Sequence, residues 1–597
     1  MRFLLGYIDR RLVASLIFAA LCLATLDLLG VAVIFPYLSV LTVEAPGEGT
    51  GLLARAYGWM GAASRREFLI AVSAGLAAFF LLKFAIAYLA NRIKYRTNAR
   101  ITTGLSDDLF RRLLGADYSF LANRSVSEMT GVINAETIHA TLCLDAWVSI
   151  ATEALFLLLI LATITAIDAR LAALLVPGLA VLTAILYAGV IRPTARLGAQ
   201  QTQIHLRQYR FLYSIVNALK DIKILGLERA SEAEHRDLNT RYAGAIASYY
   251  VYQTLPRAVL ELLVMVGLVG ASVLVVLTDQ DLKAAVPVIG LLAVAAWRVV
   301  PSYSRIIGAY GTYKYYKPSL GVVRQLYEDL GGAQARQRSE PLPFDHALEI
   351  HDLHFSHGDQ AVLAGVALAI PKGRAIGIVG LSGSGKTTFL DVLAGLRRPQ
   401  RGRFLLDGKS FDPYEADTLR RLFGYVPQNV TLIDDSIAFN IAFERQPDPE
   451  RLRKALRVAR LDDFIASLPG GYETQVGENG VRVSGGQKQR IGIARALYRD
   501  PQLLIFDEAT SSLDNVTERE LSAEIAGLSG SKTLIIVAHR LSTVERCDEI
   551  HVFDQGRVVG SGAHATLLQS CPEYRALYLA QGPGAADTGQ ARVARVS

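Results

Sequence analysis

The sequence predicts a chain in two parts: an α-helical half of six membrane spans, then a soluble α/β half built around a phosphate-binding loop. Three observations carry the expectation. Apolar residues make up 51% of the 597 positions and the mean hydropathy is +0.29, yet the long uncharged runs stop near residue 304. A Gly-x-x-x-x-Gly-Lys-Thr loop, Gly380-Leu381-Ser382-Gly383-Ser384-Gly385-Lys386-Thr387-Thr388, follows an apolar run. Farther along lies Val483-Ser484-Gly485-Gly486-Gln487-Lys-Gln-Arg490. At roughly 150 residues per domain the length exceeds one core. The expected division is 1–325 membrane, 326–345 linker, 346–581 nucleotide-binding and 582–597 a disordered tail poor in large apolar groups.

A helix needs about 20 apolar residues to cross the hydrocarbon core. Stretches 12–41, 68–89, 145–167, 171–191, 258–277 and 284–306 meet that length, which puts both termini on one side. The first of them is too long for a signal-peptide core and lacks a small-residue cleavage site, so it is expected to be retained. Arg10 and Arg11 precede it. Arg92, Lys94, Arg96, Arg100, Arg111 and Arg112 follow the second span, and Arg196, Arg207, Arg210, Lys220 and Lys223 follow the fourth. The excess of cations marks these segments as cytoplasmic, with Arg65 and Arg66 a minority against. The net charge of +7 is then explained by loops facing anionic lipid, and nucleic acid is not an expected partner. Cys22, Cys143, Cys547 and Cys571 have no paired spacing, which fits neither a disulfide framework nor a zinc site.

Segments 92–144 and 192–257 are too long for simple loops. Their recurring apolar positions, Leu105, Leu109, Leu113 and Leu212, Ile215, Leu219, predict spanning helices that continue into the cytosol. The turns at 117–121 and 220–225 are expected to hold short helices that press on the ATP-binding half, or else plain helical hairpins. Residues 51–63, with Tyr57 and Trp59, read as a short amphipathic helix at the outer surface or as an irregular glycine-containing loop.

In the second half, the apolar residues 375–379 lead as a buried strand into the loop and the residues from Thr388 onward follow as a helix. In that context small residues let successive N–H groups converge on a phosphate, Lys386 adds a charge and the Thr387 hydroxyl a ligand for Mg2+. Ser484-Gly485-Gly486-Gln487 opens a helix-forming run and so offers a second anion-binding helix start. Its natural customer is a nucleotide held by another copy of the domain; alone, it would equally be a Gly-Gly turn. Asp507 and Glu508 end the apolar run 503–506, at the sheet edge where ligands of open α/β folds bind. Asp507 is placed to hold Mg2+ and Glu508 to polarise a water. His539 follows another strand, 533–537, and either contacts a γ-phosphate or is a structural hydrogen-bonding group. Gln428 follows Tyr425-Val-Pro427 and is either a Mg2+ ligand that senses the γ-phosphate or mere loop.

In this order the residues resemble the nucleotide-binding domain of ABC transporters over about 345–580, and the six-span half is similar to the family's exporter branch. The resemblance makes Gly380 to Thr388 the Walker A loop, Gln428 the Q-loop glutamine and Ser484 to Gln487 the signature. Asp507 becomes the Walker B acid, Glu508 the catalytic base, Asp514 the D-loop acid and His539 the switch histidine. It implies ATP and Mg2+ as cofactors. Val483 stands where the family usually has Leu, and His357 where an aromatic stacks on adenine; imidazole still stacks. Residues 474–480 resemble the loop by which exporters of this family contact the membrane half. One Walker A loop and one signature per chain imply a dimer, most simply a homodimer.

Ionisable residues within or beside spans are functional candidates: Lys83, Arg257, Arg298 and Arg305 are expected to face an anionic head. The alternative is that Arg257 and Arg305 snorkel and Lys83 pairs with Asp27 or Glu261. Thr254-Leu-Pro-Arg257, Ala296-Trp-Arg298-Val-Val-Pro301-Ser-Tyr-Ser-Arg305 and Tyr315-Tyr-Lys-Pro-Ser319 resemble PglK-type lipid-linked oligosaccharide flippases. That implies an amphiphilic polyprenyl-pyrophosphate glycan moved across the bilayer of the inner (plasma) membrane, with the nucleotide-binding half and both termini cytoplasmic. The competing expectations are an exporter of hydrophobic drugs or lipids and an ATP-gated channel or transport regulator. A soluble ABC protein fails on the spans.

Overall fold

The computed structural model describes residues 65–331 and 343–581 apart from 123, 168, 278–281, 415–421, 509–522, 524, 526 and 539, together with scattered positions between 6 and 30. The chain forms two compact units, 1–116 with 120–333, and 334–597 with which 117–119 are grouped.

The first unit is helical. In chain order it contains α1 (Arg65–Gly115), α2 (Tyr118–Ala122), α3 (Val126–Gly131), a π-turn (Val132–Glu136) and α4 (Thr137–Ile167). Then come α5 (Ala169–Leu186), a second π-turn (Tyr187–Ile191), α6 (Arg192–Asn217), α7 (Leu219–Leu225), α8 (Glu228–Leu277) and α9 (Leu282–Asp329). Among the described residues four helices are long and apolar enough to cross a membrane: Arg66–Gly115, Val126–Thr163, Val176–Asn217 and Glu228–Val273. They cover the second to fifth expected spans. The sixth lies within α9, while the first, and the helix expected at 51–63, fall in segments outside the described residues save for a few helical positions.

At 1.5 Å per residue the 51 residues of α1 reach about 75 Å, more than twice a hydrocarbon core of about 30 Å. The helix is therefore longer than a crossing needs, and its packing explains the Leu105 and Leu109 stripe. Both are fully buried, in one cluster with Ile101, Met129, Val132, Ile133, Leu144, Val323 and Leu326. The second stripe differs. Leu212 and Leu219 are 44% and 50% exposed, and Val216, Ile224, Leu225 and Leu227 are exposed beside them. The apolar periodicity there marks a face that the described residues do not cover. Short helices stand at both expected turns, as α2 and α7. Gly198 of α6 lets that helix close on α9: a Cβ there would sit 2.0 Å from the Tyr315 carbonyl oxygen.

The second unit has two sheets. Strands β1 (Ala347–His357), β2 (Gln360–Pro371), β4 (Arg401–Leu406) and β5 (Lys409–Phe411) form an antiparallel sheet in the order β2-β1-β4-β5. Strands β3 (Ala375–Gly380), β6 (Phe423–Val426), β7 (Leu503–Asp507), β8 (Thr533–Val537), β9 (Glu549–Asp554) and β10 (Arg557–Gly562) form the other, ordered β10-β9-β3-β8-β7-β6. Its pairings are parallel except β9 with β10. β7 and β8 are buried at every position, as the continuous apolar runs of a covered parallel sheet require. Alternate side chains feed two cores. Ile376, Ile378, Ile505 and Ile535 pack with α10 (Lys386–Leu393) and the antiparallel sheet. Val379, Leu504, Phe506 and Ile536 pack toward α11 (Gly485–Tyr498) and the helical segment 437–465. The antiparallel sheet was not foreseen, although β1 and β2 join at Gly358-Asp359, a two-residue glycine turn that is a hairpin signal.

Candidate nucleotide-binding site

The carboxyl ends of β3, β6, β7 and β8 are in register: Val426 pairs with Phe506, and Asp507 with Val537. This edge collects the expected residues. Gly380 leaves β3 at φ 153°, and a Cβ there would meet the Phe553 carbonyl oxygen at 2.2 Å. Gly385 has φ 101°, with the Val362 carbonyl oxygen 3.0 Å from a would-be Cβ. Only glycine makes both turns without strain. The loop thus presents Leu381, Ser382, Gly383 and Ser384 ahead of the α10 N-terminus, where Thr387 is exposed and Thr388 half-buried.

Lys386 is buried, and its Nζ donates to the Gly380 and Leu381 carbonyl oxygens at 2.8 and 2.9 Å. Burial holds its pKa below the usual lysine value, against the opposing pull of Glu508 and Asp507. Asp507 is also buried and accepts from the Tyr425 hydroxyl at 2.9 Å. Burial raises its carboxyl above the ordinary range, with Glu508 adding to the effect and Tyr425 and Lys386 opposing it. Such a buried acid is short of positive charge, and a cation beside it would supply that charge. Tyr425 was missed as a site residue; its side-chain direction has no signal in Tyr-Val-Pro.

Glu508 turns out of β7 at φ 50°, a strained value for a residue with a side chain. Its amide donates to the Val537 carbonyl oxygen at 2.9 Å, and its carboxylate accepts from Gln428 Nε2. The structure therefore brings Gln428, Lys386, Asp507 and Glu508 to one edge. His539 and Asp514 lie outside the described residues. His357 ends β1, exposed, with its ring edge-on to Phe355 at 4.9 Å.

Ser484 is the N-cap of α11. Its Oγ accepts from the Gln487 amide at 3.3 Å, while the Ser484 amide donates to Gln487 Oε1 at 2.8 Å. This reciprocal capping box holds Gly485 and Gly486 at the helix start, with Ser484 and Gly485 exposed. Ser-x-x-Gln is a readable capping signature that the expectation of an anion site overlooked. One turn on, Gln489 donates to the Pro427 carbonyl oxygen at 3.3 Å, which ties α11 to the loop of Gln428.

In the first unit Arg257 and Arg305 line a cavity of about 660 Å³ with Lys94, Asp145, Glu153 and Gln253. Each base has an acid. Lys94 Nζ lies 2.9 Å from Asp145, Arg257 Nε 2.7 Å from Glu261, and Arg305 Nη2 3.0 Å from Glu153. Lys83 lies half-buried on α1 and is not among the lining residues. For Arg298 only the backbone, in α9, is described. Glu261 pairs with Arg257, and Asp27 lies outside the described residues. Asp145 and Glu153 were missed because only bases were sought in the spans, although an intramembrane acid carries the same signal.

Residues 363–511 match the family described as ABC transporter, and residues 37–292 match the ABC transporter transmembrane region. An ATP-dependent lipid A-core flippase of Burkholderia pseudomallei is 28% identical over 89% of this chain and 89% of its own length. Another, of Chromohalobacter salexigens, is 43% identical over 40% of this chain, and the alignment spans only 42% of that relative. A bacterial Atm1-family ABC exporter solved with ATP bound superposes with a TM-score of 0.76 over 96% of this chain and 99% of its own, at 24% identity, a likeness of fold. Matched in both halves, membrane region first and nucleotide-binding domain second, the chain belongs to the ABC transporters.

Proposed function

We propose that this chain is an ATP-driven flippase of the inner membrane that moves an anionic, lipid-linked glycan, working as a homodimer with its nucleotide-binding half in the cytoplasm. The observation that carries the reading is the cavity of the helical half, in which Lys94, Arg257 and Arg305 meet apolar helix surface. A head bearing phosphate or pyrophosphate would exchange with Asp145, Glu153 and Glu261 for these bases, in charge-assisted and, for arginine, bidentate hydrogen bonds. The relatives are named for flipping lipid A-core, and that name supports a lipid-linked glycan as the cargo here. The PglK-type reading narrows it to a polyprenyl pyrophosphate.

ATP fits the loop: glycines where a Cβ would collide, a buried lysine and a helix start. Lys386 would bind the β- and γ-phosphates, and Thr387, Gln428 and Asp507 would hold Mg2+. The ion would offset phosphate charge as it develops. Glu508 would take the proton of the attacking water, with Gln428 fixing its carboxylate. His539 would orient that water and His357 would stack on adenine. The capped start at Ser484 would close on the phosphates held by the second subunit. The exposed face Leu212, Val216, Leu219, Ile224, Leu225 supports a second copy covering it.

A second reading, export of an uncharged hydrophobic compound, is favoured by one observation: Arg257 and Arg305 are already paired. Proteoliposomes decide between them. Wild type should translocate a fluorescent polyprenyl-pyrophosphate oligosaccharide, or in a parallel arm lipid A-core, only with hydrolysable ATP. Arg257→Ala and Arg305→Ala should lose transport while hydrolysis continues. Hydrolysis stimulated by hydrophobic drugs and indifferent to both glycolipids would refute the first reading.

A further inference from the structure

We infer that Glu136, His139 and His205 form a binding site for one divalent first-row transition metal ion, of the Zn2+ or Mn2+ class, within the helical half. Glu136 is fully buried. Its Oε1 accepts from His205 Nδ1 at 2.8 Å and its Oε2 from His139 Nδ1 at 3.3 Å. One ligand atom from each of the three residues can be chosen so that all lie within 4.8 Å of one another. Four-coordinate sites with metal–ligand bonds of about 2.0–2.1 Å have ligand atoms about 3.3 Å apart. The two carboxylate–imidazole separations, 2.8 and 3.3 Å, are near that value, and the imidazole–imidazole separation is at most 4.8 Å. Two imidazoles and one carboxylate are a borderline donor set, suited to zinc, manganese, iron, cobalt or nickel and unsuited to calcium or magnesium.

Three further observations bear on a ligand. First, Glu136 closes the π-turn Val132–Glu136, and His139 follows three residues on, so both project from one face where the helix locally widens. Such turns recur at functional sites because they redirect a side chain at the cost of regular hydrogen bonds. Second, both rings are clamped by stacking. Tyr316 lies 4.8 Å from His139 at 26°, and Tyr242 5.2 Å from His205 at 11°. The Ser319 hydroxyl of α9, itself buried, is hydrogen-bonded with Thr202, three residues before His205, at 3.2 Å. Orienting partners of this kind hold ligands ready for an ion. Third, Gln201, one helical turn before His205, is 2% exposed, and its Oε1 is a buried acceptor without a partner among the described residues. At i and i+4 the two side chains share one face of α6. Bound metal would tie the start of α4 to α6, beneath the Gly198 approach to α9.

The test uses the full-length protein in nanodiscs, stripped with chelator and titrated with Zn2+, and with Co2+ as an absorbing probe. The expected result is one tight equivalent per chain, with ligand-field absorption in the Co2+ form. His205→Asn should weaken it at least tenfold and erase the absorption, since even outer-shell losses cost about 10–100-fold. His139→Asn, on the other helix, gives the same readout should His205→Asn not fold. His351 and His354, exposed beside carboxylates, are the adventitious sites; His351→Asn with His354→Asn should leave the tight equivalent intact. Wild type without a tight equivalent, or one that survives His205→Asn and His139→Asn, would overturn the site and leave a hydrogen-bonded cluster held by protons alone.

Discussion

Glu508 occupies a backbone conformation that a side-chain-bearing residue adopts only under constraint, and the amide bond to Val537 and the carboxylate bond to Gln428 are what hold it. If the strain serves to aim a base, removing the base while keeping the shape should separate binding from turnover. Glu508→Gln is expected to keep ATP affinity within about twofold and to lower the hydrolysis rate by about 10²-fold or more, the usual worth of a positioned base. Single-turnover kinetics with labelled ATP checks it, and near-normal turnover would remove Glu508 from that role. Asp507 makes a pH prediction. Its carboxyl is raised by burial, so the native state holds this proton more tightly than the unfolded chain does. The stabilisation from that proton is full below the unfolded value near 4 and is lost as pH rises through the raised native value. In metal-free protein without nucleotide, Asp507→Asn should therefore gain stability relative to wild type as pH rises above about 4. A melting-temperature difference that stays flat with pH would contradict it. Gln428, Lys386, Asp507 and Glu508 were all legible in the sequence because strand-loop order dictates where they meet. Tyr425 was not, because side-chain direction depends on packing; Asp145 and Glu153 were overlooked although an acid within a span is itself a signal.

At the scale of elements, two contacts have consequences that differ in kind. The capping box of α11 is local, so Ser484→Ala should cost about 1 kcal/mol of helix stability and also loosen the glycines it presents. Hydrogen exchange at residues 485–488 should rise in full-length protein without nucleotide; unchanged protection would show that tertiary contacts alone set the helix start. The α6–α9 approach is long-range. Gly198→Ala puts a methyl 2.0 Å from the Tyr315 carbonyl oxygen, so the helices must separate, at about 1–3 kcal/mol. A lowered melting temperature in detergent checks this, and an unchanged one would mean that the helices slide apart freely. The length of α1 was legible because apolar and amphipathic periods join without a breaker. The fate of the Leu212, Ile215, Leu219 stripe was not, since periodicity says that a face is apolar and not which molecule covers it.

For the whole molecule, the decisive quantity is how many chains make one active site. Each chain has one Walker loop and one capped signature helix, and an apolar face at 212–227 left exposed. If Ser484-Gly-Gly-Gln closes on the partner's phosphates, two different defects in separate subunits should complement. Lys386→Ala removes a phosphate ligand and Gly485→Asp puts a negative charge at the signature, so either homodimer should be inactive. In a mixed dimer, the Gly485→Asp chain keeps an intact loop and the Lys386→Ala chain an intact signature. Together they rebuild one of two sites. Random one-to-one mixing makes half of the dimers mixed, so about one quarter of wild-type hydrolysis should return if the sites act independently. Co-expression with two affinity tags, followed by tandem purification of the mixed dimer, raises the expectation to about one half. Complete silence of the purified mixed dimer would mean that loop and signature serve the same chain, or that neither site works alone. An independent site pair built from one defective chain, Lys386→Ala with Gly485→Asp, and one intact chain separates those two. It leaves no complete composite site across the dimer but a complete one in cis, so activity there would place the signature on its own nucleotide.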